Sequence, residues 1–141
     1  MTTKEYLWQI KDTKNRVKEK QAQIDSMRSA LVNISPKISD ERVSSSSDPD
    51  KMGTMIANIL ERESELKERI EIFLAKEKEI SNQIDSLPNF RQREVLHWRY
   101  VEDKKFEDIA VNCMDISFRH VMRLHKKALR SFEEIYGELY L

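Results

Sequence analysis

The sequence predicts an all-α protein, with an N-terminal antiparallel helical hairpin of coiled-coil-like character followed by a three-helix helix-turn-helix domain. Three observations carry this prediction. The 141 residues include only 2 Gly and 3 Pro, too few turn formers for a sandwich, a barrel or a glycine-rich phosphate loop. Two long stretches place apolar residues at heptad-like spacing, the signature of helices packed along a seam. Behind them lie three shorter apolar clusters, the last interleaved with lysine and arginine.

The first stretch, about Thr3 to Val32, sets Ile10, Val17, Ile24 and Leu31 seven residues apart, with Tyr6, Met27 and Ile34 on the adjoining row. Thr13 and Lys20 interrupt it at positions where a homodimeric zipper would place apolar side chains, so one partner helix is the expected neighbour. From Asn33 to Asp48 the pattern stops, and Pro36 with Ser44, Ser45, Ser46 and Ser47 predicts a flexible loop over 33–48. Asp48-Pro49-Asp50 then reads as a helix start: a capping carboxylate, a proline at the first helical position and an acid at the positive helix end. The second seam follows as Met52, Ile56, Ile59, Leu66, Ile70, Phe73, Ile80, Ile84 and Leu87, with Glu63 and Glu77 filling its two gaps. Two stripes of similar length joined by a loop predict the hairpin, residues 1–86.

From Leu87 the character changes. Pro88 breaks the helix, and three apolar clusters follow, Val95 to Tyr100, Phe106 to Ala110 and Val121 to Ile135, which fit three short helices of about 10, 8 and 18 residues. Ser117 is a good N-cap for the third, after the short connection Cys113-Met114-Asp115-Ile116, and Gly137 a plausible stop. In that third helix Val121, Leu124, Ala128 and Leu129 are expected to face inward, and Phe118, Arg119, Met122, Arg123 and Lys126 outward.

The charges total 25 basic against 25 acidic residues. By segment they separate: 9 against 6 in 1–43, 6 against 10 in 44–87, and 10 against 9 in 88–141. Between Ser117 and Ser131 stand Arg119, Arg123, Lys126, Lys127 and Arg130, with His120 and His125, and no acid. A short turn leading into an acid-free basic helix is the pattern of a major-groove reader, whose N-terminal residues reach base edges while flanking cations neutralise phosphates. Phe118 and Met122 on the outward face suit apolar contact with thymine methyls.

The single cysteine, Cys113, leaves no internal disulfide and no cysteine-based zinc site. The three histidines show no metal-ligand spacing, and no acid pair comes with a catalytic constellation, so neither an enzyme nor a cofactor is expected. No stretch is long and apolar enough for a signal peptide or a membrane span, which leads to the expectation of a cytoplasmic protein with no membrane partner.

The run Leu87-Pro88-Asn89-Phe90-Arg91-Gln92-Arg93-Glu94-Val95-Leu96-His97-Trp98-Arg99-Tyr100, then Phe106-Glu107-Asp108-Ile109-Ala110, then Ser117, Val121, Arg123, Leu124, Ala128 and Leu129, resembles region 4 of sigma-70-type transcription factors. With the hairpin before it, the build is similar to small phage and prophage proteins of Gram-positive bacteria, some of them regulators of late transcription. The resemblance covers about 50 residues, Leu87 to Ile135. It implies double-stranded DNA as ligand, with base contacts from Phe118, Arg119, Met122 and Arg123 and backbone contacts from Ser117, His120, Lys126 and Lys127. It also implies host RNA polymerase as a partner and, for the chain as a whole, a transcription activator. The hairpin offers a surface for homo-oligomers.

Two departures stand out. The turn between Ala110 and Ile116 is one residue longer than usual, with Cys113-Met114-Asp115 where a glycine or a single polar residue often sits. Phe118-Arg119-His120 and Met122-Arg123 replace the arginine and glutamate run of housekeeping sigma factors, so their DNA target does not carry over. Two other readings stay open: a DNA-packaging component similar to a small terminase subunit, and a coiled-coil adaptor.

Overall fold

The computed structural model describes the backbone of residues 1–41 and 49–141 and the side chains of 1–33 and 50–141. Every regular element among the described residues is helical. The two long helices are α1 (Thr3–Glu41) and α2 (Pro49–Asp85). Helix α1 runs beyond the expected end near Val32 and carries Pro36 in its interior, where a proline costs a ladder hydrogen bond and crowds the carbonyl four residues back without ending the helix. The expected loop over 33–48 is therefore helical up to Glu41, while Ser44 to Ser47 and the expected cap Asp48 lie outside the described residues. Pro49 opens α2, as its fixed φ favours.

Three shorter helices follow. Helix α3 (Phe90–Leu96) widens into a π-helical turn (His97–Val101), and α4 (Phe106–Asp108) does the same (Ile109–Cys113). Helix α5 (Phe118–Tyr136) ends in a short 3-10 turn (Gly137–Leu139). Asn89 caps α3 by accepting a hydrogen bond from the Gln92 N–H (3.0 Å), and Ser117 caps α5 by accepting one from the His120 N–H (3.1 Å).

The chain divides into two compact units, one of Met1–Lys14 with Leu74–Leu141 and one of Asn15–Phe73. A boundary after residue 86 follows the change in sequence character, whereas the contacts group the start of α1 and the end of α2 with the C-terminal helices.

In the 15–73 unit the two helix segments are antiparallel. The Arg16 guanidinium lies 5.7 Å from the Phe73 ring centre, and further up α1 Arg28 reaches back to Glu63 at 2.8 Å. Ile24 and Leu66 are fully buried, while Val17, Met27, Leu31, Met52, Ile56, Ile59 and Ile70 are half-buried. Glu63 fills its seam position at 7% exposure and bonds both Arg28 and Lys67 (3.0 Å). Those two cations hold its carboxyl below the usual carboxylate range. A slip of this pair would separate the buried acid from the arginine of the facing helix, which favours the observed register.

The other unit carries the main core: Tyr6, Leu7 and Ile10 from α1, Ile80, Ile84 and Leu87 from α2 and just after it, Val95, Leu96 and Tyr100 from α3, Ile109 and Ala110 from α4, and Val121, Ala128 and Phe132 from α5. Here too the long helices run antiparallel: the Tyr6 hydroxyl donates to Gln83 at 2.7 Å, and Lys14 stands 3.7 Å from Glu77. Apolar residues from the start of the chain thus fill a core that the C-terminal helices do not close on their own.

Candidate nucleic-acid interface

The candidate interface is built by α4, the connection 114–117 and α5. Two devices shape the connection. The N–H of Met114 bonds the carbonyl of Ile109 (2.8 Å) and that of Ile116 the carbonyl of Ala110 (3.0 Å), closing rings wider than those of an ordinary helix end. Asp115 then takes φ 51°, the left-handed region in which glycine is the usual occupant and Asp is tolerated. The π-helical end of α4 leads directly into this turn. The chain emerges at Ser117 in an extended conformation (φ −65°, ψ 151°), ready to cap α5.

Helix α5 is sharply two-sided, far more so than either long helix. Val121, His125, Ala128 and Phe132 are buried, at spacings of four, three and four. Leu124 and Leu129 are half-buried against the same core. Ser117, Phe118, Arg119, His120, Met122, Arg123, Lys126 and Lys127 are all exposed. The structure therefore brings all eight expected contact residues onto the solvent side of one helix and its cap. Among the described residues none of Arg119, Arg123, Lys126, Lys127 or Arg130 has an ion-pair partner, so this face presents undiluted positive charge. Phe118 and Met122, four residues apart, expose 47% and 38% of their surface beside those cations. Ile135, grouped by sequence with the inward residues, is 50% exposed; Tyr136, four residues after Phe132, takes the next inward position instead.

His125 reads by sequence as part of the basic stripe, and the structure turns it inward. Its Nε2 lies 2.8 Å from the Tyr100 hydroxyl, its ring stacks on Tyr100, and Phe106 meets it edge-on at 4.8 Å. Burial, with Lys4 and Arg99 nearby, pushes its pKa down to about 4, and burial pushes that of Tyr100 up to about 12. The residue is neutral at physiological pH and adds nothing to the positive face. Its place was legible in the four-three-four spacing, which counting it as a base conceals. Cys113 is half-buried against the core, and burial pushes its thiol up, away from the reactive thiolate.

Sequence reasoning missed a group at the other end of the site. Trp8, Lys11 and Lys14 of α1 surround the connection between α3 and α4. Lys11 pairs with Asp103 at 3.3 Å, and Lys14 donates to the carbonyl of Val101. Arg99 lies between the rings of Trp8 (5.0 Å) and Phe106 (4.2 Å) while donating to the carbonyl of Lys104 at 3.0 Å. No short-range pattern joins residues so far apart along the chain.

Residues 84–132 match the sequence model of the family "Sigma-70, region 4". With the geometry above, this part of the chain is a sigma-70 region 4-like helix-turn-helix. No curated protein and no solved structure gives a significant match. No helix among the described residues is long and apolar enough to cross a membrane.

Proposed function

On the premise of a sigma-70 region 4-like helix-turn-helix at residues 84–132, we propose that the protein is a sequence-specific regulator of transcription that docks α5 in the major groove of duplex DNA. The observation that carries this reading is the exposed face of α5, where unpaired cations and two apolar side chains stand together with no acid from Ser117 to Ser131. An α-helix fits the major groove, and each cation brought against a phosphate releases condensed counterions. Arg119 and Arg123 take base edges, Phe118 and Met122 take thymine methyls, and Ser117, His120, Lys126 and Lys127 hold the backbone.

The region 4 likeness supports a role with host RNA polymerase as an activator, in the cytoplasm of a bacterial cell. The hairpin build supports a phage or prophage setting and a surface for self-association. The test is footprinting of the full-length protein on DNA enriched from a random duplex pool, with and without polymerase. The reading predicts one protected site and an affinity that falls linearly with the logarithm of salt concentration. Absence of any salt-dependent DNA binding refutes it. DNA binding with no effect of polymerase refutes the activator role alone.

A further inference from the structure

Helices α3 and α4 end in turns of one design. After α3, the N–H of Glu102 bonds the carbonyl of His97 (3.0 Å), that of Lys104 bonds the carbonyl of Trp98 (2.9 Å), and Asp103 stands at φ 54°. After α4, Met114, Ile116 and Asp115 repeat each of these features. Both turns hold an aspartate in the left-handed region, where glycine is the favoured residue. Both also leave carbonyls at the end of a helix.

What differs is the support. The first turn is gripped from α1: Lys14 donates to the carbonyl of Val101 and stands 3.7 Å from Glu77, Lys11 pairs with the left-handed Asp103, and Trp8 backs the guanidinium of Arg99, which bonds the carbonyl of Lys104. Among the described residues no hydrogen bond or ion pair from α1 reaches 113–117. The gripped turn runs directly into Phe106, the first residue of α4, and α4 packs on α5. Its geometry therefore sets the direction of α4, which together with α3 holds α5. The second turn lies next to the exposed face; Met114 packs in the core with Cys113 and Ile116 against it, and the turn's hydrogen bonds among the described residues are internal.

From this asymmetry we infer that the start of α1 is part of the DNA-reading unit, with Lys14 as a positioning residue that fixes the α3–α4 turn and through it the angle of α5. The inference rests on the DNA-binding reading and extends it to residues outside the region 4 match. It makes the first fourteen residues a working part of the reader, and any partner that shifts the start of α1 a modulator of DNA affinity.

The test uses the full-length protein and the duplex that the wild type enriches from a random pool, beside a mixed-sequence duplex. Lys14→Met keeps the aliphatic stem and removes the donor. The expected result is about a tenfold loss of affinity for the enriched duplex, as follows if the correctly angled state falls to about a tenth of the population, with affinity for mixed sequence and the salt slope unchanged. Lys14→Arg restores most of the loss. By amide hydrogen exchange, Lys14→Met speeds exchange of Glu102 and Lys104 about tenfold while leaving Met114 and Ile116 as they were. Lys11→Met gives a smaller effect of the same pattern and serves if Lys14→Met does not fold.

Wild-type affinity in both variants overturns the inference. So does a salt slope that falls by about one, which would make Lys14 a phosphate contact, or exchange that rises equally at both turns. Failure of the wild type to bind DNA at any salt concentration refutes the DNA reading instead, and the exchange experiment still decides whether the turn is held.

Discussion

Acidification provides a direct measure of the packing beneath α5. His125 is 4% exposed, has Tyr100 as its hydrogen-bond partner, and has Lys4 and Arg99 close enough to oppose a proton. Its pKa is about 4 in the folded protein and about 6.5 in an unfolded chain. The unfolded state therefore binds the proton more tightly. The stabilising contribution is complete above pH 6.5, shrinks as pH falls, and is gone below pH 4. The two values are worth about 3 kcal/mol in all, and about 2 kcal/mol is lost between pH 7 and pH 5. With an m-value of about 2 kcal/mol/M, that loss lowers the urea midpoint by about 1 M. Trp8 and Trp98, the two tryptophans of the chain, both pack against this core, so their fluorescence reports the unit that contains His125. Carboxylates titrate too, and His125→Gln isolates the histidine, since it keeps a polar group near Tyr100 and cannot titrate in this range. The variant is expected to be less stable than wild type at pH 7 and to lose about 2 kcal/mol less on moving to pH 5. Parallel pH profiles for the two proteins would show that His125 is not buried neutral in this core, and with it the inward orientation assigned to this side of α5 would fall.

Other substitutions probe other parts of the molecule. Asp115→Gly relieves a left-handed backbone at φ 51° and is expected to raise the melting temperature, by about 1 kcal/mol of stability, while Asp115→Ala is expected to lower it. Arg119→Ala or Arg123→Ala should cost about 1–3 kcal/mol at the enriched duplex and relax its sequence preference, as read by gel shift at fixed salt. Lys126→Ala or Lys127→Ala should instead weaken all sequences alike and reduce the salt slope by about 0.9 each. Glu63→Ala leaves Arg28 and Lys67 without their carboxylate and opens a seam position, so helicity by circular dichroism should melt at a lower temperature than in wild type. Glu63→Leu fills that position and should recover most of the loss.

How much of this was legible in the sequence depends on the distance over which each feature is determined. The seam of α2 was readable residue by residue, because heptad spacing needs only one partner helix to become burial; Leu66, Ile80, Ile84 and Leu87 are all fully buried. Ser117 as a cap was readable because capping is settled within three residues. The outward face of α5 was readable from charge and period together. The end of α1 was not: Pro36 and the loss of apolar spacing pointed to a stop, and the backbone ladder continues to Glu41. His125 was counted with the basic stretch by its chemistry, while its register puts it in the core. The grip of Trp8, Lys11 and Lys14 on the α3–α4 turn was out of reach altogether. It depends on a core assembled from both ends of the chain, which no local pattern encodes.

The formal charge of zero has a consequence for how such a protein would find DNA. At physiological salt, exposed charges are screened beyond about 8 Å, so a neutral chain gains little long-range attraction to a polyanion and its cations act only once docked. Helix α5 is itself polarised. Arg119, Arg123, Lys126, Lys127 and Arg130 occupy its first part, while Glu133 and Glu134, followed by Glu138, occupy its end. A groove-bound α5 is therefore favoured in one direction, with its cap toward the bases and its acidic end away from the phosphates. On the proposed reading, phosphate contacts limited to the first turns would supply a small sequence-independent affinity, and discrimination between sites would fall to Arg119, Arg123, Phe118 and Met122 and to the accuracy with which the core holds α5 at its angle. A neutral reader of this kind depends on positioning more than a strongly basic one does, because it has less non-specific attraction to compensate for a misdirected helix.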